Sequence, residues 1–215
     1  SFKNDYSEGA HPAILQSLVE TNLLQTEGYG GDPFTAAAIA RLKAKIERDD
    51  VEIHLLPGGT QTNLTALAAF LRPHEAAIAA HTGHILVHET GAIEATGHKV
   101  LAAASGDGKL TPALIQAIVD AHTDEHMVKP RLVYISNSTE IGSIYTKKEL
   151  AAVSACCRRN ELLLYLDGAR LGSALTAAGN DLTLHEISRL VDAFYIGATK
   201  NGALIGEALV ICREA

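Results

Sequence analysis

From about residue 110 onward, short runs of continuous apolar residues alternate with stretches in which apolar side chains recur at helical spacing. Thr111-Pro112 pairs a capping residue with a proline at the first turn, and Leu114, Ile115, Ile118 and Val119 then share one face, which predicts a helix. Arg131 to Ile135 reads as a buried strand. Thr146 and Glu149 have capping-box spacing and open a helix that runs to about Arg159. Glu161 to Leu166 is a second strand, and Thr183 with Glu186 repeats the capping-box spacing before a short helix ending near Val191. Ala193 to Ile196 and Ala208 to Cys212 read as two more strands. The first half is less regular. Helices from Pro12 to Leu24 and from Pro33 to Arg48 flank the loop Glu27-Gly28-Tyr29-Gly30-Gly31-Asp32. A strand from Val51 to Leu56, a Gly-Gly turn and a helix from Thr62 to Leu71 follow.

Unbroken apolar strands separated by amphipathic helices predict an α/β fold, a mainly parallel sheet covered by helices on both faces. No Pro/Ser-rich linker, repeat or low-complexity tract interrupts the pattern, so residues 1–215 read as one domain. Composition changes the picture only by exclusion. With 47% hydrophobic and 20% charged residues the chain is ordinary globular material. A net charge of −7 and the lack of any Lys/Arg-rich run argue against a nucleic-acid partner or an anionic membrane surface. The apolar runs are too short to span a bilayer, and the first residues have no apolar signal core. The chain does not begin with Met, so residues are expected upstream. Three cysteines, Cys156, Cys157 and Cys212, make no disulfide framework, and a cytoplasmic setting is expected.

In open α/β sheets ligands bind beyond the carboxyl ends of the strands, and four segments bring polar residues there. Pro57-Gly58-Gly59-Thr60-Gln61-Thr62-Asn63 joins a strand to a helix, and its glycines and free N–H groups suit a phosphate. It reads equally well as an ordinary turn with a Thr cap. Asp167, directly after an apolar strand, is costly there unless it is paired or faces a ligand; pairing with Arg170 is the plain alternative. Lys200 stands in a Gly-flanked loop after another strand, where a lone lysine is usually just solvated. His81, His84, His88 and Glu89 invite a zinc reading, but their spacing matches no zinc motif, and the stretch looks like loop and strand, so no metal is expected. Cys156 and Cys157 read as buried helix packing. Taken together, a phosphate cradle, a strand-end Asp, an Arg and a loop Lys are the parts that hold pyridoxal 5'-phosphate. The Lys forms a Schiff base and the Asp pairs with the ring nitrogen.

At these residues the chain resembles the threonine aldolases, a family of fold-type I, aminotransferase-like enzymes. The resemblance rests on Gly28-Tyr29-Gly30-Gly31-Asp32-Pro33, Gly59-Thr60-Gln61-Thr62-Asn63, His84-Ile85 with Glu89, Leu166-Asp167-Gly168-Ala169-Arg170-Leu171 and Thr199-Lys200, in that order. It implies a fold-type I large domain with an N-terminal arm over about residues 1–30. It also implies that the family's smaller C-terminal domain, with a further carboxylate-binding Arg, is absent from this chain. By the same resemblance Gly59, Thr60 and Thr199 bind the cofactor phosphate, and His84 stacks on its ring and serves catalysis. Asp167 pairs with the ring nitrogen, and Lys200 carries the cofactor. Arg170 and Asn4 meet the substrate carboxylate, and Tyr29 reaches the site of a neighbouring subunit in a homodimer or homotetramer. The implied reaction is retro-aldol cleavage of threonine or allo-threonine to glycine and acetaldehyde. Another fold-type I reaction, β-elimination or transamination, and a catalytically incomplete cofactor-binding fragment are the alternatives. One departure stands out. Thr139 occupies the place of a histidine that many bacterial members bring to the substrate hydroxyl, which leaves His88, Glu140 or water as the base.

Overall fold

In the computed structural model, which describes residues 3–212, the chain alternates helix and strand almost throughout. In chain order the elements are α1 (Pro12–Thr21), α2 (Pro33–Ile46), β1 (Glu52–Leu56), α3 (Gly59–Phe70), β2 (Glu75–Ala80), α4 (His84–Val87), α5 (Ala92–Ala95), β3 (Lys99–Ala103), α6 (Pro112–Ala121), β4 (Lys129–Ser136), α7 (Lys147–Arg159), β5 (Leu163–Asp167), α8 (Leu171–Thr176), α9 (Leu184–Leu190), β6 (Ala193–Gly197) and β7 (Glu207–Ile211). Both predicted capping boxes form: Thr146 with Glu149 opens α7, and Thr183 with Glu186 opens α9. Caps of this kind stabilise a helix by about 1 kcal/mol each.

The seven strands form one sheet in the order β1-β7-β6-β5-β4-β2-β3. Strands β3, β2, β4, β5 and β6 pair in parallel, while β7 runs antiparallel to both β6 and β1. The mainly parallel sheet is therefore as expected, with one reversed strand. Alternate residues of each strand enter two cores. Ile78, Val133, Ile135, Leu164, Leu166, Phe194 and Val210 pack on one side with Ile115, Leu150, Val153 and Ile187 from α6, α7 and α9. Ala77, Ala79, Leu132, Tyr134, Tyr165, Tyr195 and Leu209 pack on the other with Leu67, Ile85 and Ile93 from α3, α4 and α5. Burying each such Leu, Ile or Val stabilises the fold by about 1.5–3 kcal/mol, and burial on both faces explains the absence of polar alternation.

Several boundaries differ from expectation. Helix α1 ends at Thr21 rather than Leu24, and α2 at Ile46, where Glu47 takes a left-handed C-cap. Helix α3 starts at Gly59, three residues early, because Gly58 is its N-cap and Thr62 bonds back to the Gly58 carbonyl. Thr62 is thus not the cap. The stretch His81 to Glu89 is not loop and strand but holds the single helical turn α4. Strands β2 and β3 and helices α5 and α8 are additional elements.

Candidate active site

The carboxyl ends of β1, β2, β4, β5 and β6 open into two adjoining cavities that share Tyr6, His84, His88 and Lys200. The smaller, of about 340 Å³, is bounded by Gly58, Gly59, Thr60, Tyr195, Thr199 and Glu207. The larger, of about 640 Å³, is bounded by Asn4, Asp5, Ser138, Thr139, Glu140 and Arg170.

At the floor, Asp167 is the last residue of β5 and is 4% exposed. Its carboxylate accepts from the Tyr134 hydroxyl at 2.6 Å, Asn63 Nδ2 at 2.9 Å and the Ala169 amide at 2.9 Å. The alternative, a pairing of Asp167 with Arg170, is not what forms. Arg170 turns outward and chelates Asp5 of the N-terminal arm through Nε and Nη2. The Arg170 guanidinium lowers the Asp5 pKa, and Asp5 in turn raises that of Arg170. Burial, reinforced by the Asp167 charge, holds the Tyr134 and Tyr195 hydroxyls well above the usual phenol range, so they remain donors.

Asn63 connects this floor to the histidine wall. Its Nδ2 also donates to Glu89 Oε1 at 2.7 Å, and its Oδ1 accepts from the Tyr165 hydroxyl at 3.1 Å. Glu89 Oε1 lies 2.8 Å from His84 Nδ1, fixing one edge of the imidazole, while its buried Oε2 has no hydrogen-bond partner among the described residues. The ring centroids of His84, which opens α4, and His88, its C-cap, lie 5.5 Å apart.

Lys200 lies in a 3-10 turn, Thr199–Asn201, between β6 and β7. Its Nζ makes no ion pair among the described residues and sits 5.7 Å from the centre of the Tyr6 ring. The Thr199 hydroxyl donates to Glu207 Oε1 at 2.9 Å, and Ala198 N–H donates to Glu207 Oε2. Burial raises the Glu207 pKa. The Asp167 and Lys200 loops can meet only because both carry glycine. A Cβ on Gly168 would overlap the carbonyl oxygen of Tyr195, and one on Gly197 would overlap the Ala169 backbone. Gly197 N–H instead donates to the Gly168 carbonyl at 2.9 Å.

Of the residues singled out in the sequence, Asn4, Gly59, Thr60, His84, Thr139, Arg170, Thr199 and Lys200 line the two cavities, and Asp167 lies beneath them. The Asn4 Oδ1 accepts from Tyr6 N and the Ser7 hydroxyl. Tyr29 lines neither cavity and is fully exposed. Asn63, Tyr134, Tyr195 and Asp5 join the site without a role assigned to them from the sequence. A tyrosine two residues before a polar strand end, as in Tyr134–Ser136 and Tyr165–Asp167, was the available signal.

An open α/β sheet with a strand-end carboxylate, a loop amine and an uncapped helix start around one cleft defines the fold-type I class. The family model for beta-eliminating lyases matches residues 6–215, and the chain belongs to that family, whose members depend on pyridoxal phosphate. The chain is 36% identical over 211 residues to the low specificity L-threonine aldolase of Pseudomonas aeruginosa and 35% identical to that of a Pseudomonas strain. Each alignment covers 97% of this chain and 61% of the relative. A solved structure of Leishmania major threonine aldolase superposes with a TM-score of 0.97 at 55% identity, covering 98% of this chain and 62% of that one. The chain thus spans about three fifths of the length of the relatives it matches.

The residues present fit that cofactor. Helix α3 begins at Gly59 after Gly58, an N-cap with no side chain to bond, so its first N–H groups face the smaller cavity beside Thr60 and Thr199. An uncapped helix start of this kind favours a phosphate. Among the described residues one amide, that of Ala169, donates to Asp167 Oδ1, leaving capacity for another donor.

Proposed function

We propose that the protein binds pyridoxal phosphate in this cleft and cleaves the Cα–Cβ bond of a β-hydroxy-α-amino acid, threonine or allo-threonine, to glycine and an aldehyde. The observation that carries the reading is the convergence of Lys200, the uncapped start of α3 and the buried Asp167 on one pair of cavities. Gly59, Thr60 and Thr199 would hold the phosphate, Asp167 the ring nitrogen and Lys200 the aldehyde carbon. His84, oriented by Glu89, would cover the ring. When bound, the cofactor supplies an electron sink for the pair left at Cα. The Asp167 carboxylate would face the ring nitrogen and favour its protonated form. Arg170 offers a planar fork to the substrate carboxylate, in the place that Asp5 takes in the single chain. Asn4 lies on the same wall.

The same reading assigns residues 3–212 to the large domain and makes a second copy of the chain the natural partner. Helix α1 buries none of its residues, and Leu18, Val19, Leu23, Leu24 and Tyr29 are all exposed. Such an apolar array suits a closed two-fold interface, which would bring Tyr29 against the neighbour. Among the described residues no helix is long and apolar enough to cross a membrane. Cys156 and Cys157 are buried free thiols in α7, which supports a cytoplasmic setting.

The test is made on the full-length protein. Borohydride reduction followed by peptide mapping should leave a pyridoxyl group on Lys200, and threonine should yield acetaldehyde without a keto-acid acceptor. Label on another lysine would remove Lys200 from its role. A requirement for a keto acid would replace the lyase reading with a transaminase.

A further inference from the structure

We propose that Glu140 is the base that takes the proton from the substrate's β-hydroxyl, an assignment that rests on the retro-aldol reading above. Cleavage requires a proton acceptor on the wall of the larger cavity, held still and not already committed to another group. Thr139 does not meet these conditions. It is buried, its hydroxyl shares a 2.7 Å hydrogen bond with Ser143 Oγ, and the Ser143 amide donates to it as well. Asp5 is held by the Arg170 guanidinium. The His84 ring is committed through Nδ1 to Glu89. His88 is exposed and its ring makes no hydrogen bond among the described residues, so nothing holds the imidazole in a reactive pose.

Glu140 meets every condition. It lines the larger cavity with Arg170 and Lys200. Its Oε1 accepts from the Ser136 hydroxyl at 2.6 Å and from the His84 amide at 2.9 Å. Ser136 is the last residue of β4, and His84 is the first residue of α4, so two separate elements hold Oε1 in place. No described residue donates to Oε2, which leaves that oxygen for substrate. Both donors act on the same oxygen, so the carboxylate is oriented without being used up.

The step balances within the substrate. The hydroxyl O–H bond breaks, its proton passes to Glu140 Oε2, and its electron pair becomes the second bond of the aldehyde carbonyl. The Cα–Cβ bond breaks and its pair stays on Cα, where the bound cofactor accommodates it. Cα then takes one proton, giving glycine, and Glu140 returns its proton to solvent. No oxidant or further reactant is needed.

The experiment compares two rates in one preparation of full-length E140Q, with bound cofactor quantified by absorbance after denaturation. One is threonine cleavage; the other is exchange of glycine α-protons with deuterated water, which involves no hydroxyl. Their ratio does not depend on the fraction of enzyme loaded. Loss of a general base should lower the ratio by at least about tenfold and toward 10²-fold relative to the parent, with E140D intermediate. A smaller fall in E140Q, or a fall found in H88Q and not in E140Q, overturns the assignment. A parent protein that exchanges glycine but cleaves no β-hydroxy amino acid removes the retro-aldol reading, and this proposal falls with it.

Discussion

Asp167 and Glu89, two buried carboxylates, share one amide: Asn63 Nδ2 lies 2.9 Å from Asp167 Oδ2 and 2.7 Å from Glu89 Oε1. The bridge ties the carboxylate proposed to face the ring nitrogen to the carboxylate that contacts His84. Asn63→Ala removes one donor from each carboxylate, and the expected cost is about 1–3 kcal/mol. Asn63→Asp should cost more at neutral pH, because it adds a third charge to a dry site. Urea midpoints of the two variants measure this, and a parent-like midpoint for both would show the bridge to be dispensable.

Asp167→Asn keeps the shape of the floor and removes its charge. Under the proposed function it should retain some bound cofactor and lose on the order of 10²-fold or more in turnover, by analogy with other preorganised charges. Near-parental kcat in a folded variant would contradict the assigned role.

Gly168→Ala is expected to strike the main chain of Tyr195 rather than a movable side chain. Overpacking against backbone should cost on the order of 1–3 kcal/mol or more and spread the Asp167 and Lys200 loops apart. Denaturant unfolding tests the first effect and cofactor titration the second. A variant unchanged in both would refute the close-approach argument.

The pair Arg48–Asp50 sets an acid limit. Arg48, which also donates to the Ser188 and Cys212 carbonyls, lowers the Asp50 carboxyl to about 2 from an ordinary 3.8. A folded value below the unfolded one stabilises the fold above about pH 4, and the contribution disappears as pH falls toward 2. The Tm gap between the parent and Asp50→Asn should therefore be steady above about pH 5 and close below pH 4. A gap independent of pH would count against the pair.

Leu23→Glu or Val19→Glu places a charge on the exposed apolar array beside α1. If a second copy covers it, dimer dissociation measured by sedimentation should strengthen at least tenfold, since one buried unpaired charge costs more than ~1.4 kcal/mol. An unchanged dimer would move the interface elsewhere.

The legible parts of this fold were those with side chains that commit to one structure. Strands β4, β5 and β6 are rich in Leu, Val, Ile and aromatics, and the capping boxes of α7 and α9 announce themselves locally. Strand β2, Glu-Ala-Ala-Ile-Ala-Ala, carries no such preference; its position between β4 and β3 makes it a strand. Helix α4 is one turn, too short to show a period. The site divides in the same way. Asp167 and Lys200 are visible because they punctuate apolar runs. Asn63 and Tyr134 lie inside regular elements and acquire their partners 104 and 33 residues away. Glu140 meets His84 across 56 residues, a relation that only the tertiary fold creates.

The reversed strand has a consequence for how the amine is held. Because β7 returns antiparallel beside β6, Lys200 sits at the bend of a ribbon whose two legs are both hydrogen-bonded into the sheet, with Gly197 facing Glu207 at its mouth. A lysine on a strand-to-helix connection would be anchored firmly on one side only. Here the positional freedom of the backbone under the amine is given up once, during folding, and not again each time a ligand enters.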